Sequence, residues 1–293
     1  MNFKRKNLQC SLSQTLFNAV EQEAERTGET VSHIVERALA HELDIAHHSL
    51  FQVSTSRALV EGVFGGCTTV AHLKEHGDFG LGTFDQLDGE LVMLDGHCYQ
   101  VTQGGVAREV ADEVTVPFAT LTRFSADSTV RLDSSQTLGD LTQQLDRLRP
   151  SENLFVGFRI EGTFEKLELR AACRARPGEK LVAAIEHQSS FEFTEITGTL
   201  VGFYSPPYSS AIGVPGYHFH FIDDQRRCGG HVFNLSTGCL AGDLIAQLHV
   251  ESDIHLALPE TQEFLETDLN RDRSCELKSV ETDEGEPEVG GDD

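Results

Sequence analysis

The segment Gly216-Tyr217-His218-Phe219-His220-Phe221 constrains this chain more than any other. Aromatic residues and histidines alternate in it, and in a strand residues two apart share a face. Tyr217, Phe219 and Phe221 are expected on one face of a strand, His218 and His220 on the other. A third histidine, His231, follows Gly229-Gly230, where the chain can fold back. Three neutral imidazoles that leave one coordination position open form the usual shell of a catalytic zinc. The same alternation fits an exposed strand face that carries histidine by chance, and the residues alone leave both readings open.

The rest of the chain limits what such a strand can belong to. At 293 residues it has room for one large domain or two smaller ones. No run of 18 apolar residues occurs, so no membrane span is expected. The start, Met-Asn-Phe-Lys-Arg-Lys, leads into polar sequence and does not read as a signal peptide. The seven cysteines are scattered and form no C-x-x-C, which suits a reducing compartment, and the expected location is cytoplasmic. Cys228, close to His231, is a further ligand candidate. A net charge of -24 repels nucleic acid and anionic lipid in general, without forbidding a local positive site. Part of that excess lies at the end, from Glu281 to Asp293, and residues 289–293 are expected to be a disordered acidic tail.

Residues 1–46 form a first unit. Asn7 to Leu12 alternate polar and apolar, the pattern of a half-buried strand. Ser13 then caps a helix carrying Leu16, Val20 and Ala24 on one stripe, which stops at Gly28. Thr30 caps a second helix with Ile34, Val35, Ala38, Leu39 and Leu43 inward. The Leu-x-Cys-x-Leu-Ser start and the Gly-x-Thr-x-Ser turn make this β-α-α unit resemble the ribbon-helix-helix DNA-binding module. That resemblance implies a homodimer whose paired strands enter the major groove, with Asn7, Gln9 and Ser11 facing the bases. The module is acidic beyond Lys6, which weakens the case for DNA and leaves a plain dimerisation unit as the other reading.

From Leu50 onward short strands and turns dominate. Asp88-Gly89 and Asp95-Gly96 mark tight turns. Glu90 opens a strand that is otherwise apolar, so it faces either water or a cavity. A helix is expected over 138–148, with strands over 153–161, 164–172, 192–204, 242–251 and 254–258. No Gly-x-Gly-x-x-Gly, phosphate-binding Gly-Lys-Ser/Thr or Gly-x-Ser-x-Gly occurs.

Five segments of this second unit resemble α-acetolactate decarboxylase. They are Phe51-Gln52-Val53-Ser54-Thr55; Gly77 to Thr83 with Leu87-Asp88-Gly89-Glu90; Asn153-Leu154-Phe155 with Arg159-Ile160-Glu161-Gly162; Gly198 to Phe203; and Gly216 to Asp223 with Gly229-Gly230-His231-Val232. The resemblance runs over residues 50–288 and implies a zinc enzyme, a carboxy-lyase of the acetoin or butanediol route. Such enzymes convert (S)-2-acetolactate to (R)-acetoin and carbon dioxide. By position, His218, His220 and His231 are the implied Zn²⁺ ligands, and Glu90, Arg170 and Glu284 the implied catalytic residues. Zn²⁺ chelating the hydroxyl and carbonyl oxygens makes the carbonyl an electron sink and stabilises the enediolate left after decarboxylation. Arg170 can grip the carboxylate, with Arg159 as a competing candidate, and Glu90 or Glu284 can deliver the proton to one face. The implied fold is α+β, with mixed, largely antiparallel sheets and a few helices. A second functional reading is a DNA-binding regulator whose second domain senses a small hydroxy-keto acid.

Overall fold

In the computed structural model of the chain, residues 8–27, 30–43, 48–238, 244–271 and 276 are described. Asn7, Glu284 and the acidic tail 289–293 lie outside them. Two helices come first, α1 (Gln14–Thr27) and α2 (Val31–Glu42). Ser13 caps α1, its hydroxyl accepting from the Leu16 N–H at 3.3 Å. Residues 8–13 form no strand, contrary to the sequence pattern, and Gln9 and Ser11 are exposed. Leu16, Phe17, Leu39 and Leu43 are exposed too, while Ile34 and Ala40 are buried. A lone strand has little stability of its own, and among the described residues nothing covers those four side chains.

The next elements are β1 (Ser49–Val53), α3 (Ser56–Val60), β2 (Thr68–Thr69), α4 (Val70–His76), β3 (Phe79–Thr83), β4 (Glu90–Leu94), β5 (His97–Thr102), β6 (Val106–Glu109), β7 (Thr115–Val116) and β8 (Phe118–Thr122). Asp95 and Gly96 both have positive φ, 55° and 79°, the backbone of a two-residue hairpin between β4 and β5. The chain continues through β9 (Ser128–Arg131), α5 (Leu138–Asp146), β10 (Phe155–Ala171), α6 (Leu181–Ile185), β11 (Ser189–Ser205), β12 (Gly216–Asp223), β13 (Gly229–Ser236), β14 (Ile245–Glu251), β15 (Asp253–Ala257) and α7 (Gln262–Glu266). The strands expected over 153–161 and 164–172 are one continuous strand, β10. Gly162 interrupts the sequence pattern but not the backbone ladder, because both its neighbours pair through it.

One sheet has seven strands in the order β15-β1-β8-β3-β4-β5-β6, and β1–β15 is its one parallel pair. The other has six, β11-β12-β13-β10-β14-β9, and β10 pairs β11 as well, so β10, β11, β12 and β13 close on themselves. The architecture is therefore α+β with largely antiparallel sheets. Leu50, Phe79, Val92, Val101, Val201, Phe203 and Ile222 pack the two sheets together. Phe158, Phe164, Phe219 and Phe221 fill the far side with Leu141 and Leu145 of α5, which starts in a capping box between Thr137 and Asp140. A smaller cluster of Leu59, Phe118, Leu181, Ala184 and Val214 joins α3 to α6.

Candidate metal centre

The ladder of β12 delivers the alternation expected from the sequence. Tyr217, Phe219 and Phe221 pack into the large core, and His218 and His220 point the other way. His220 lies opposite His231 of β13 and opposite Val201 of β11. The fold-back that brings β13 alongside is the turn before Cys228, where Arg226 has φ 58°, not the glycine pair. Gly229 and Gly230 instead sit within β13, where strands approach closely: a Cβ on Gly229 would stand 2.2 Å from the Phe221 carbonyl oxygen.

Arg170 reaches the same face through a bulge. Between β10 and β13 the register runs Glu168↔Asn234, then Leu169↔Val232 and Arg170↔His231, so Phe233 is an extra residue on β13. Were Phe233 paired as an ordinary member of the ladder, Arg170 would stand opposite Val232 and not His231, because a one-residue slip flips every side chain. The bulged Phe233 lies beneath the guanidinium, 5.3 Å from ring centre to Cζ.

The three imidazole rings stand 4.9, 5.0 and 5.4 Å apart, centre to centre. His220 donates from Nδ1 to the Leu91 carbonyl at 2.8 Å, which leaves Nε2 as the lone-pair nitrogen. That Nε2 is buried and makes no hydrogen bond; Glu90 Oε2 lies 3.5 Å from it. His231 presents Nδ1 to His218 Nε2 at 3.1 Å and Nε2 to Arg170 Nη2 at 3.0 Å. Burial, with the Arg170 charge second, lowers the His218 pKa to about 3, and burial followed by the His218 charge holds His220 well below its ordinary value. Both rings are neutral at neutral pH, the state in which imidazole binds metal. A buried nitrogen without a partner is costly. A cation among these three rings would satisfy it, so the donor set fits a divalent metal.

Glu90 opens β4 and reaches across from the other sheet. Its Oε1 accepts from the Ala172 N–H at 2.8 Å, just past Arg170. His218, His220, His231, Arg170 and Glu90 all line one cleft that is open to solvent. Its opposite wall is apolar, built from Leu59, Leu87, Phe118, Leu181, Ile185 and Val214, with Thr83 and Gln188 as polar exceptions.

Two competing sequence candidates fall outside. Arg159 is committed to Asp95 at 2.6 Å and Glu161 at 2.8 Å and does not line the cleft. Cys228 belongs to the turn before β13. Burial, then Asp223, pushes its thiol up to about 11, away from the thiolate a metal requires. The sequence pattern missed α6, the Phe233 bulge and the Leu91 carbonyl. A five-residue helix is too short to show a period, and a carbonyl's role depends on what folds against it.

A sequence profile described as Alpha-acetolactate decarboxylase matches residues 50–271. An alpha-acetolactate decarboxylase of Methanosarcina mazei is 44% identical over 233 residues, covering 79% of this chain and 80% of that one. One from Bacillus licheniformis is 38% identical, covering 82% and 92% respectively. The crystal structure of the Bacillus subtilis strain 168 alpha-acetolactate decarboxylase superposes with a TM-score of 0.76 at 35% identity, over 80% of this chain and 99% of that one.

Proposed function

Because the chain belongs to the alpha-acetolactate decarboxylase family, and is accordingly a carboxy-lyase that decarboxylates acetolactate, we propose that it does so with a zinc ion held by His218, His220 and His231. The observation that carries this is the convergence of three imidazoles, one guanidinium and one carboxylate on a single cleft. Zinc held there by His218, His220 and His231 would supply a Lewis acid that makes the substrate carbonyl an electron sink.

The protein's own groups divide the remaining work. The guanidinium of Arg170, on the same face as His231, grips the substrate carboxylate and holds it out of the plane of the carbonyl until carbon dioxide leaves. Glu90 is held through Oε1 by the Ala172 N–H, with Oε2 directed at His220. It is placed to deliver a proton to one face of the remaining carbon chain, giving (R)-acetoin from (S)-2-acetolactate. Glu284 is assigned as a second carboxylate on the family resemblance alone. The apolar wall around Leu181 and Ile185 accepts the methyl groups and excludes water.

We further propose that residues 1–46 are a ribbon-helix-helix-like dimerisation module preceding a catalytic domain over 50–288, and that the enzyme works in the cytoplasm as a homodimer. The uncovered stripes of α1 and α2 support the dimer. The exposed Gln9 and Ser11 leave DNA contact, and with it the regulator reading, open to a gel-shift assay at low salt.

Metal analysis joined to an acetoin assay tests the central reading. His218→Ala is expected to lose the zinc and to fall in kcat/KM by more than the ~10–100-fold that follows loss of a group supporting a ligand. Loss of the metal with full activity retained would overturn it.

A further inference from the structure

A second cluster of metal-ligating side chains lies at the start of β1, apart from the cleft. His48, the residue before β1, is 2% exposed, and His249 of β14 is wholly buried. Asp127 stands just before β9. None of the three lines the cleft. One donor atom of each lies within 4.8 Å of the others. The two imidazole rings are nearly parallel, with centres 4.5 Å apart. β1 belongs to the seven-stranded sheet and β14 and β9 to the six-stranded one, so the cluster spans both. His48 is held there at a cost. Its φ is 53°, the left-handed region that few residues other than glycine adopt, and its carbonyl accepts the N–H groups of Ser252 and Asp253 at 3.0 and 3.1 Å.

We propose that His48, Asp127 and His249 form a second transition-metal site, which pins the two sheets together at the point where residues 1–46 join them. Asp127 Oδ1 lies 3.7 Å from His48 Nε2, and Oδ2 lies 3.7 Å from His249 Nδ1. Ligand atoms about 2.1 Å from one tetrahedral ion stand roughly 3.4 Å apart, so a small shift closes the shell. The far side of each ring suits coordination. His48 Nδ1 donates to the Val250 carbonyl at 2.6 Å, which leaves Nε2 as the lone-pair nitrogen. His249 Nδ1 lies 2.7 Å from the Ser125 carbonyl, to which it can donate. An ion bound at that Nδ1 selects the tautomer with the proton on Nε2, which faces Glu251 Oε1 at 3.7 Å, and the Ser125 carbonyl becomes a fourth donor. Both carboxyl oxygens of Glu251 are buried without a hydrogen bond, and an N–H on His249 with a cation behind it offsets that burial. The Val250 N–H orients Asp127, donating to Oδ2 at 2.8 Å.

The chemistry selects the ion class. Two imidazoles with one carboxylate suit Zn²⁺, Co²⁺, Ni²⁺ or Fe²⁺ rather than Mg²⁺ or Ca²⁺. The Asp127 side chain is 28% exposed and gives the ion a way in. The benefit is mechanical: an ion that binds only the folded state stabilises it by mass action.

The test uses the untagged full chain and zinc alone, with bound metal and melting temperature followed together. Wild type is expected to hold two zinc ions per chain. His218→Ala is expected to keep one and to show a zinc-dependent rise in Tm, because the site assigned here does not depend on the cleft. His48→Asn, whose new side chain tolerates the left-handed backbone, is expected to hold one zinc and to decarboxylate at the wild-type rate. Asp127→Asn, which can still accept from Val250, is expected to bind the second zinc at least tenfold more weakly, again at full activity. Either change added to His218→Ala is expected to remove or sharply reduce the rise in Tm. Unchanged activity shows that a variant folds, and the accessible Asp127 keeps the test decisive where replacing buried His48 costs the fold. A wild type with a single zinc that is lost in His218→Ala overturns the proposal, as does a second zinc held with undiminished affinity in Asp127→Asn. A single zinc that survives in His218→Ala and is lost in His48→Asn supports this site and counts against zinc in the cleft.

Discussion

Glu251 shows how much a single residue can owe to its surroundings. Nothing in its sequence position distinguishes it from the other acidic residues of the chain. In the fold it is wholly buried at the end of β14, with His249 Nε2 3.7 Å from its carboxylate. Burial raises its pKa from 4.5 to about 8, with the nearby Thr122 hydroxyl acting in the opposite direction. The folded state therefore holds a proton that the unfolded chain releases above its ordinary pKa. The stability this contributes is fully present below pH 4.5 and is lost as pH rises toward 8. Tm measured across that window is expected to fall, and Glu251→Gln, which keeps a neutral side chain, is expected to flatten the profile. An equally steep profile in the variant would exclude Glu251 as its source. His220 is the contrasting case: its place beside His218 on a strand face was legible from alternation, but its tautomer depends on Leu91, which is 129 residues away in sequence.

At the level of elements, the bulge in β13 matters most. Phe233 is one apolar residue among several in a strand, and alternation counts it as an ordinary member of the ladder. Because it is bulged out rather than paired, Arg170 stands opposite His231 on one face. Deleting Phe233 is expected to close the bulge while leaving Leu169 opposite Val232 and Arg170 opposite His231. Zinc content should then be retained while circular dichroism still reports the sheets. Loss of the zinc would mean that the bulge itself, and not this pairing, holds His231 in place. The helices α5 and α1 were legible because their caps, Thr137 and Ser13, and their apolar stripes lie within one stretch of sequence. The five residues of α6 carry no comparable signal, and it is their packing on α3 that makes them a wall of the cleft.

Across the whole molecule, the unit from β1 onward buries the large apolar side chains of its central strands, whereas Leu16 and Phe17 of α1, Leu39 of α2 and Leu43 just after it are uncovered. If a second copy covers them, light scattering on the full chain is expected to give a dimer. Leu16→Glu with Leu39→Glu should then yield a monomer that still decarboxylates acetolactate. A dimer that persists in this double variant would place the interface elsewhere. From the sequence alone one obtains the strand that carries His218 and His220 on one face, because alternation is a local property of extended backbone, and the family, because several motifs occur in one order. The sheet order, the closure of β10 on β11 and β13, and the meeting of Glu90 with His220 across two sheets needed the tertiary structure. These are contacts between residues far apart in the chain, and such contacts are settled by which apolar faces bury each other, a choice that no local pattern encodes.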